Sequence, residues 1–446
     1  MRVDTHHPEV IVIGAGIAGL TAAYVLKRRG IPVKVIEAAS RVGGRMTSDE
    51  INGHIVDCGA QFLSTEYRII SGLLRQLGLW RQVRPTSRYS AISRQKIPRK
   101  MRIDRPLDAL TSGLLSPRAW LKLCWNSLFL IGPLRKRSLS DYSLWSEFDS
   151  EYLTARTNSQ ADRQLIEYFY EPMLQGFYFQ TPEETSQAFS NVLTAFGLRR
   201  ARTLALEGGM GALPNQLSRE LDVELNTPVS RITFSNETVS IETPSGEQRA
   251  DRVILAVPAP MAALMLESRP DPFSNRLLAT EYSASINVAV VTDAQFTLPG
   301  KLKNVYGLLI PRRERQDIAA IGLENNKRRS CTTKGQLLNL MFCHESAMRC
   351  MPLTDAAIVA QALESAEIFF PSLSRHVQQT RVYRWPVAEP GSKVGRAQDL
   401  QGYREQCAKK QPRLILAGDY MSMPYTEGAA ASGMWAAELI ACANKR

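Results

Sequence analysis

The segment from Val10 to Glu37 leaves this chain few folds to adopt. Val10–Ile13 is a short β-branched run and predicts a buried strand. Gly14, Gly16 and Gly19 follow at once, with Ile17 and Ala18 between the last two. A helix-forming stretch from Leu20 to Arg29 stops at Gly30, and Val33–Ile36 makes a second strand ending in Glu37 and Ala38. The result is a β-α-β unit with its glycines in the first turn. Gly14 permits the tight turn, Gly16 lets a pyrophosphate approach the backbone, and Gly19 lets helix and strand pack closely. The helix N-terminus offers its unpaired N–H groups to phosphate. Glu37 lies 23 residues after Gly14, the spacing of an acid that binds ribose hydroxyls. A glycine triplet alone is a weak signal. Strand, helix, second strand and terminal acid together predict a dinucleotide site, because a mere glycine turn would not require Glu37.

At 446 residues the chain is long for one core, so two joined domains are expected. Its 44% hydrophobic and 22% charged residues exclude a disordered chain. No run of 18 apolar residues occurs and no signal-peptide core precedes the first strand, so neither a spanning helix nor secretion is expected. Seven cysteines without a C-x-x-C pair, and five histidines without ligand spacing, argue for a reducing compartment and against a disulfide framework or metal site. The expected location is cytoplasmic. The net charge of +12 is concentrated: fourteen basic residues lie between Arg81 and Arg137, opposed only by Asp104 and Asp108, so this segment carries the whole excess.

Four further blocks follow the first. Arg41, Gly43, Gly44 and Arg45 come just after the second strand, then Asp57, Gly59, Ala60, Gln61 and Phe62. Paired glycines allow close backbone approach, and an arginine complements phosphate charge. A Gly208-Gly209-Met210 turn precedes a helix over Asn215–Leu221 and strands over Pro228–Ile232 and Ala250–Pro258. A strand over Leu414–Ala417 leads to Gly418 and Asp419, then to Tyr425, Glu427, Gly428 and Ala429 at the start of an Ala-rich helix reaching about Ala443. In this order, the five blocks resemble the superfamily of FAD-dependent flavin amine oxidases, protoporphyrinogen oxidases and phytoene desaturases.

The resemblance implies an α/β fold, with a Rossmann-like FAD-binding domain and a discontinuous α+β substrate domain. It assigns 1–80, 205–265 and 385–446 to the first, and 81–204 and 266–384 to the second, which matches only loosely. It implies that Gly43, Gly44 and Arg45 pass near the pyrophosphate and ribityl chain, that Gly59, Ala60, Gln61 and Phe62 pass near the isoalloxazine, and that the backbone at Val229 meets the adenine. Asp419 would bind ribityl or phosphate groups. The terminal helix would point its N-terminus at the flavin edge that becomes negative on reduction, an interaction worth about 0.3–2 kcal/mol. Arg41, Ala38, Glu427, Gly428 and Ala429 are counted with the cofactor residues. No cysteine stands between residues 351 and 406, so the FAD is expected to be non-covalent.

Candidate catalytic residues are fewer. Tyr425 holds the place of one aromatic wall of amine oxidases, and Trp385 is a candidate second wall; the bland reading of each is core packing. Asn287, on a predicted strand over Ser285–Val291, stands where amine oxidases carry a lysine, which leaves the electron acceptor open. Gln61 completes the set. Asp141–Phe148 and Leu165–Gly176 are expected to be helical. So is Pro117–Ile131, ended by Gly132 and Pro133 and nearly apolar except for a stripe of Arg118, Lys122 and Asn126. Two readings of this last helix stay open: a buried wall of the substrate cavity, or an interfacial helix on anionic lipid. The expected function is FAD-dependent dehydrogenation of a C–N or activated C–C bond by hydride transfer. The substrate would be an apolar, flat cyclic amine or heterocycle, anionic in one version, with O2 or a membrane acceptor as oxidant. Porphyrinogen oxidation or desaturation is the alternative, and a non-redox flavin mutase or cofactor-free binding module the reading from another class. The basic segment 81–137 would meet an anionic membrane surface at the inner face, or steer an anionic substrate; nucleic acid is not expected.

Overall fold

A computed structural model describes residues 8–102, 104–105, 107–134, 137–235, 238–266, 271–315, 317–328 and 335–443. Arg135, Lys136 and Cys331 lie outside the described residues. Val10–Ile13 sits at the centre of a five-stranded, all-parallel sheet in the spatial order Val223–Glu224, Val33–Ile36, Val10–Ile13, Arg252–Leu255, Leu414–Leu416. The chain leaves the central strand to one side through the helix Ile17–Arg28, and the strands from residues 252 and 414 fill the other side. The carboxyl end of Val10–Ile13 is therefore a point where strand order reverses, which is where open parallel sheets open a crevice. The terminal helix Thr426–Ala443 packs along Ile17–Arg28. Their approach is close enough that a Cβ at Gly433 would lie 2.0 Å from the Ala18 carbonyl oxygen.

A second, seven-stranded sheet takes its strands in the order Val377–Trp385, Ser285–Thr292, Leu337–Phe342, Ile318–Leu323, Val305–Leu309, Tyr89–Arg94, Ile97–Arg102. All its neighbours are antiparallel except Val305–Leu309 against Tyr89–Arg94. Ser285–Thr292 is buried along its whole length and lies inside this sheet, one strand from its edge. Strand ends differ from the sequence reading by a few residues: Arg231–Phe234 and Arg252–Leu255 replace the longer runs expected. Tyr142–Phe148 is a 3₁₀ helix rather than an α-helix, started by Asp141 accepting from the Ser143 amide at 3.1 Å. The stretch expected to be one helix across Leu165–Gly176 is α over Gln160–Leu165, π over Ile166–Tyr170 and α again over Glu171–Phe177.

The apolar helix runs further than expected, Pro117–Leu134, with Pro133 one residue from its end, where no further turn follows for its ring to disrupt. Ala119, Leu123 and Leu130 face inward, toward Gln160–Leu165 and Gln187–Leu198. Leu121, Trp125, Leu128, Phe129 and Ile131 are 46–65% exposed. The reading of this helix as wholly buried is thereby corrected: it is packed on one side only. No described helix is long and apolar enough to cross a membrane.

A buried ionic cluster joins a two-stranded sheet, Ser48–Ile51 against His54–Asp57, to the seven-stranded sheet. Asp57, at the end of the strand His54–Asp57, holds Lys327 Nζ at 2.7 Å and also pairs with Arg328 through the same oxygen. Its other oxygen accepts from Ser48 Oγ at 2.6 Å and from the Met210 amide at 2.8 Å. That amide belongs to the Gly-Gly-Met turn, whose place in the fold it explains. Glu324 meets Lys327 Nζ at 2.9 Å, and Arg328 donates further to the carbonyls of Leu206 and Ile55 at 3.0 and 3.1 Å. The side chains of Asp57 and Lys327 have no exposure at all. Burial would raise Asp57, but Lys327 and Arg328 outweigh it and hold the carboxyl below its ordinary 3.8.

Lys327→Met leaves two buried carboxylates facing one cation and should cost about 3–5 kcal/mol, read as a lower urea midpoint of the FAD-loaded protein. A carboxyl with a lowered folded-state value stabilises above its unfolded value and loses that contribution as pH falls through the folded one. Stability should therefore drop below about pH 4 more steeply in the wild type than in Asp57→Asn.

Candidate functional site

At the carboxyl end of Val10–Ile13 the backbone makes a cradle. Gly14 has φ +101°, and a Cβ there would lie 2.9 Å from the Ala256 carbonyl oxygen. Gly16 precedes the helix Ile17–Arg28, whose first turn has neither a side-chain cap nor an acidic residue. A Cβ built on Gly16 meets nothing within 4 Å, so the helix opens onto free space. Gly43 lies against this turn, its amide donating to the Ala15 carbonyl at 2.8 Å, and Gly44 follows at van der Waals distance from Gly16. Unspent amides, a helix N-terminus and room for a ligand fit a diphosphate.

Glu37 accepts from the amides of Ala15 at 2.6 Å and Ala39 at 2.9 Å, which fixes its carboxylate beside the cradle. The Thr227 amide donates to the Glu37 carbonyl at 2.9 Å, bringing the buried Val229 segment alongside. Arg41 is different: its guanidinium pairs with Asp49 at 2.8 Å on the surface, so its side chain serves the Ser48–Ile51 edge. Arg45 pairs with Asp419 at 2.6 Å and also donates to the Ala388 carbonyl, while Tyr282 donates its hydroxyl to Asp419 at 2.9 Å. Arg45 and Asp419 thus lie together, with Gly418 preceding and its amide donating to Ser432 Oγ at 2.8 Å. Gly428 and Ala429 are buried in the first turn of the terminal helix. Glu427, counted with the cofactor residues, has a structural task for its side chain. Both its carboxylate oxygens accept from backbone amides, Ile69 at 2.8 Å and Ile70 at 2.9 Å, so the side chain caps the helix Arg68–Gln76 and only its backbone remains for a cofactor.

Three predicted residues converge on one stretch of backbone. Gln61 donates to the carbonyls of Asp57 at 2.8 Å and Gly59 at 3.0 Å, Asn287 to the Asp57 carbonyl at 3.4 Å, and Trp385 Nε1 to the Cys58 carbonyl at 2.8 Å. Gln61 Oε1 in turn accepts from Asn339 at 3.1 Å and Lys327 at 3.5 Å. The Oδ1 atoms of Asn287 and Asn339 are buried without a hydrogen-bond partner among the described residues. Ala60 and Phe62 complete this edge, and Phe62 starts a wall of rings. It meets Tyr306 and Phe177; Phe177 meets Tyr178; Tyr178 meets Tyr425; and Tyr425 stacks on Tyr67 at 5.6 Å and 6°. Tyr425 also donates its hydroxyl to the Leu139 carbonyl. Burial raises Tyr67, Tyr178, Tyr306 and Tyr425 well above the usual phenol range, so the wall is uncharged.

Sequence reasoning missed Tyr67, Tyr178, Lys327 and Glu389. The first two sit in stretches without a motif. Lys327 meets Asp57 from far along the chain. Glu389 lay in plain view, an acid in the otherwise apolar run Pro386–Pro390.

Comparison with known proteins agrees with this architecture. The family described as flavin containing amine oxidoreductase matches residues 17–441. Protoporphyrinogen oxidase 2 of Arabidopsis thaliana is 27% identical over 356 residues, 69% of this chain and 68% of that protein. Coproporphyrinogen III oxidase of Bacillus subtilis (strain 168) is 22% identical over 455 residues, covering 92% and 93%. Among solved structures, putrescine oxidase bound to putrescine superposes with a TM-score of 0.75 at 18% identity, over 98% of this chain and 99% of that one. Cyclohexylamine oxidase from Brevibacterium oxydans IH-35A gives 0.71 at 18% identity, over 99% and 100%. With its cofactor cradle, its two sheets and a match along nearly the whole chain, the protein belongs to the flavin amine oxidase family of FAD-dependent oxidoreductases.

Proposed function

We propose that the protein oxidises a C–N bond of an apolar, flat amine or nitrogen heterocycle. The observation that carries this is the uncharged aromatic wall from Tyr306 to Tyr67, which ends at the Gly59–Phe62 edge. Flat faces of this kind hold a conjugated or cationic ring by stacking and cation–π attraction. FAD, when bound, supplies the acceptor for the hydride. The chain's own part is to hold it, through Gly14, Gly16, Glu37, Gly43, Gly44 and Arg45, and to exclude water from the reacting face. The names of the two oxidases of porphyrinogens favour a second reading, in which the heterocycle is a porphyrinogen.

Anaerobic mixing with benzylamine, cyclohexylamine, a pyrroline and a porphyrinogen separates the readings. Bleaching by an amine supports the first, and bleaching by the porphyrinogen alone overturns it. Tyr425→Leu should slow reduction about three- to tenfold at unchanged FAD content, while Tyr425→Phe keeps the ring and stays near wild type. The FAD should be non-covalent, and acid precipitation should leave it in the supernatant. The Cys58 thiol, beside Trp385, is pushed up to about 12 by burial and stays protonated. Glu37→Ala should lower the FAD retained after dialysis.

We also propose that the exposed face of Pro117–Leu134 rests on an anionic lipid surface. Five large apolar side chains lie open on one helix in the segment that carries the +12 excess, a combination suited to shallow insertion beside lipid phosphates. The holoprotein should sediment with vesicles containing phosphatidylglycerol and not with neutral ones. Salt should weaken this binding, and replacing Trp125 and Phe129 by Ser should abolish it. No sedimentation, together with substrate capture that slows as salt rises, would assign the charge to steering instead.

A further inference from the structure

Glu389 is an acid whose two cationic neighbours are each bonded to other groups. It follows Ala388, whose carbonyl accepts from Arg45, and its own carbonyl accepts from the Ser283 amide at 2.8 Å. Its carboxyl oxygen Oε2 is buried and has no hydrogen-bond partner among the described residues. The charged and titratable groups facing it are Arg45, Asp419, Arg396, Tyr67 and Tyr178. The two cations are already committed. Arg45 is paired with Asp419, and Arg396 donates to the carbonyls of Gly391 at 3.2 Å, Asp419 at 2.9 Å, Ser422 at 2.6 Å and Tyr420 at 3.3 Å. Asp419 repels the acid, and both tyrosines are neutral phenols belonging to the aromatic wall. The Ser283 hydroxyl meets the Glu389 carbonyl at 3.2 Å and the Tyr178 carbonyl at 3.3 Å, so the acid lies beside both the Arg45–Asp419 pair and the wall, with an oxygen to spare.

We propose that Glu389 takes the proton from the nitrogen of a cationic amine substrate held against Tyr67 and Tyr178. This deepens the amine reading above and rests on it. The step is a proton transfer alone: an N–H bond breaks, its electron pair stays on nitrogen, and an O–H bond forms on Glu389. A nitrogen with a free pair is what C–N oxidation requires, because the positive charge of an ammonium opposes hydride loss from the adjacent carbon. Burial, with Asp419, raises Glu389 well above the ordinary 4.5 against the pull of Arg45 and Arg396, so the group holds a proton readily. An incoming ammonium supplies the counter-charge the protein withholds, and one proton is then shared between nitrogen and carboxyl.

The test is binding of cumylamine, an amine whose nitrogen-bearing carbon has no hydrogen to give, followed through the absorbance of FAD in the holoprotein. Below the folded-state value of Glu389, an ammonium binding to a protonated acid must release one proton. Affinity should then rise tenfold per pH unit to a break, and stay level from there to the amine's own value. Glu389→Gln should remove the break and weaken binding about ten- to a hundredfold near neutral pH. Glu389→Asp should restore a break at a shifted position, and both variants should keep their FAD. A break that persists unchanged in Glu389→Gln overturns the assignment while leaving the amine reading intact. A wild type that neither binds cumylamine nor is bleached by benzylamine or cyclohexylamine overturns the amine reading and the role of Glu389 with it.

Discussion

Most of the active region hangs on a single buried carboxylate. Asp57 ties the strand His54–Asp57 and the Met210 turn to Lys327 and Arg328, which follow the strand Ile318–Leu323 of the other sheet. The carbonyls of residues 57, 58 and 59 then receive Asn287, Trp385 and Gln61, so this stretch of backbone is fixed by charge through Asp57 and by amides and an indole through its carbonyls. Buried ion pairs seldom add net stability over a well-packed apolar replacement, but removing one member is costly. Here the cluster specifies position: an apolar core would let the His54–Asp57 hairpin slide on the seven-stranded sheet, whereas two acids held by Lys327 at 2.7 and 2.9 Å admit one arrangement.

The two ends of the site use opposite means. The nucleotide end is backbone: glycines, a helix N-terminus and amides that have no partner in the helix itself. Such groups bind phosphate and ribose without discriminating among substrates. The far end is side chains, and three of them carry buried polar atoms unspent among the described residues: Asn287, Asn339 and Glu389. A buried polar atom left unpaired costs about 1–3 kcal/mol, and a bound molecule that paired with these three would recover that cost.

The legibility of the sequence follows the range of the interactions. The β-α-β unit is local: Val10–Ile13, the glycine turn and Glu37 are set by neighbours along the chain, and their spacing alone predicts a dinucleotide site. Asp57 could be read as part of a motif, but not its partners, since Lys327 and Arg328 look like an ordinary basic run until the sheets are packed. Glu427 shows the reverse case. It stands among cofactor-binding residues, yet its carboxylate caps Arg68–Gln76, a contact spanning most of the chain. The Pro117–Leu134 helix was ambiguous for a third reason. Apolar all round but for the narrow stripe of Arg118, Lys122 and Asn126, it offered several apolar sides, and only packing decides which of them is covered.

Charge placement inside and outside the molecule bears on what the site can accept. The cations facing Asp57, Asp419 and Glu389 are committed: Lys327 and Arg328 to Asp57 and Glu324, Arg45 to Asp419, Arg396 to four carbonyls. An anionic group brought to the Tyr67–Tyr178 wall would find no unpaired cation among these four, and would face Asp419 and Glu389. The basic excess lies instead in residues 81–137, where Arg88, Arg105 and Arg118 are exposed. Negative charge is thus attracted to the periphery of the molecule and discouraged at its centre. A substrate suited to both would keep any acidic groups away from the wall and present a neutral or cationic nitrogen to it, where Oε2 of Glu389 is still to be matched.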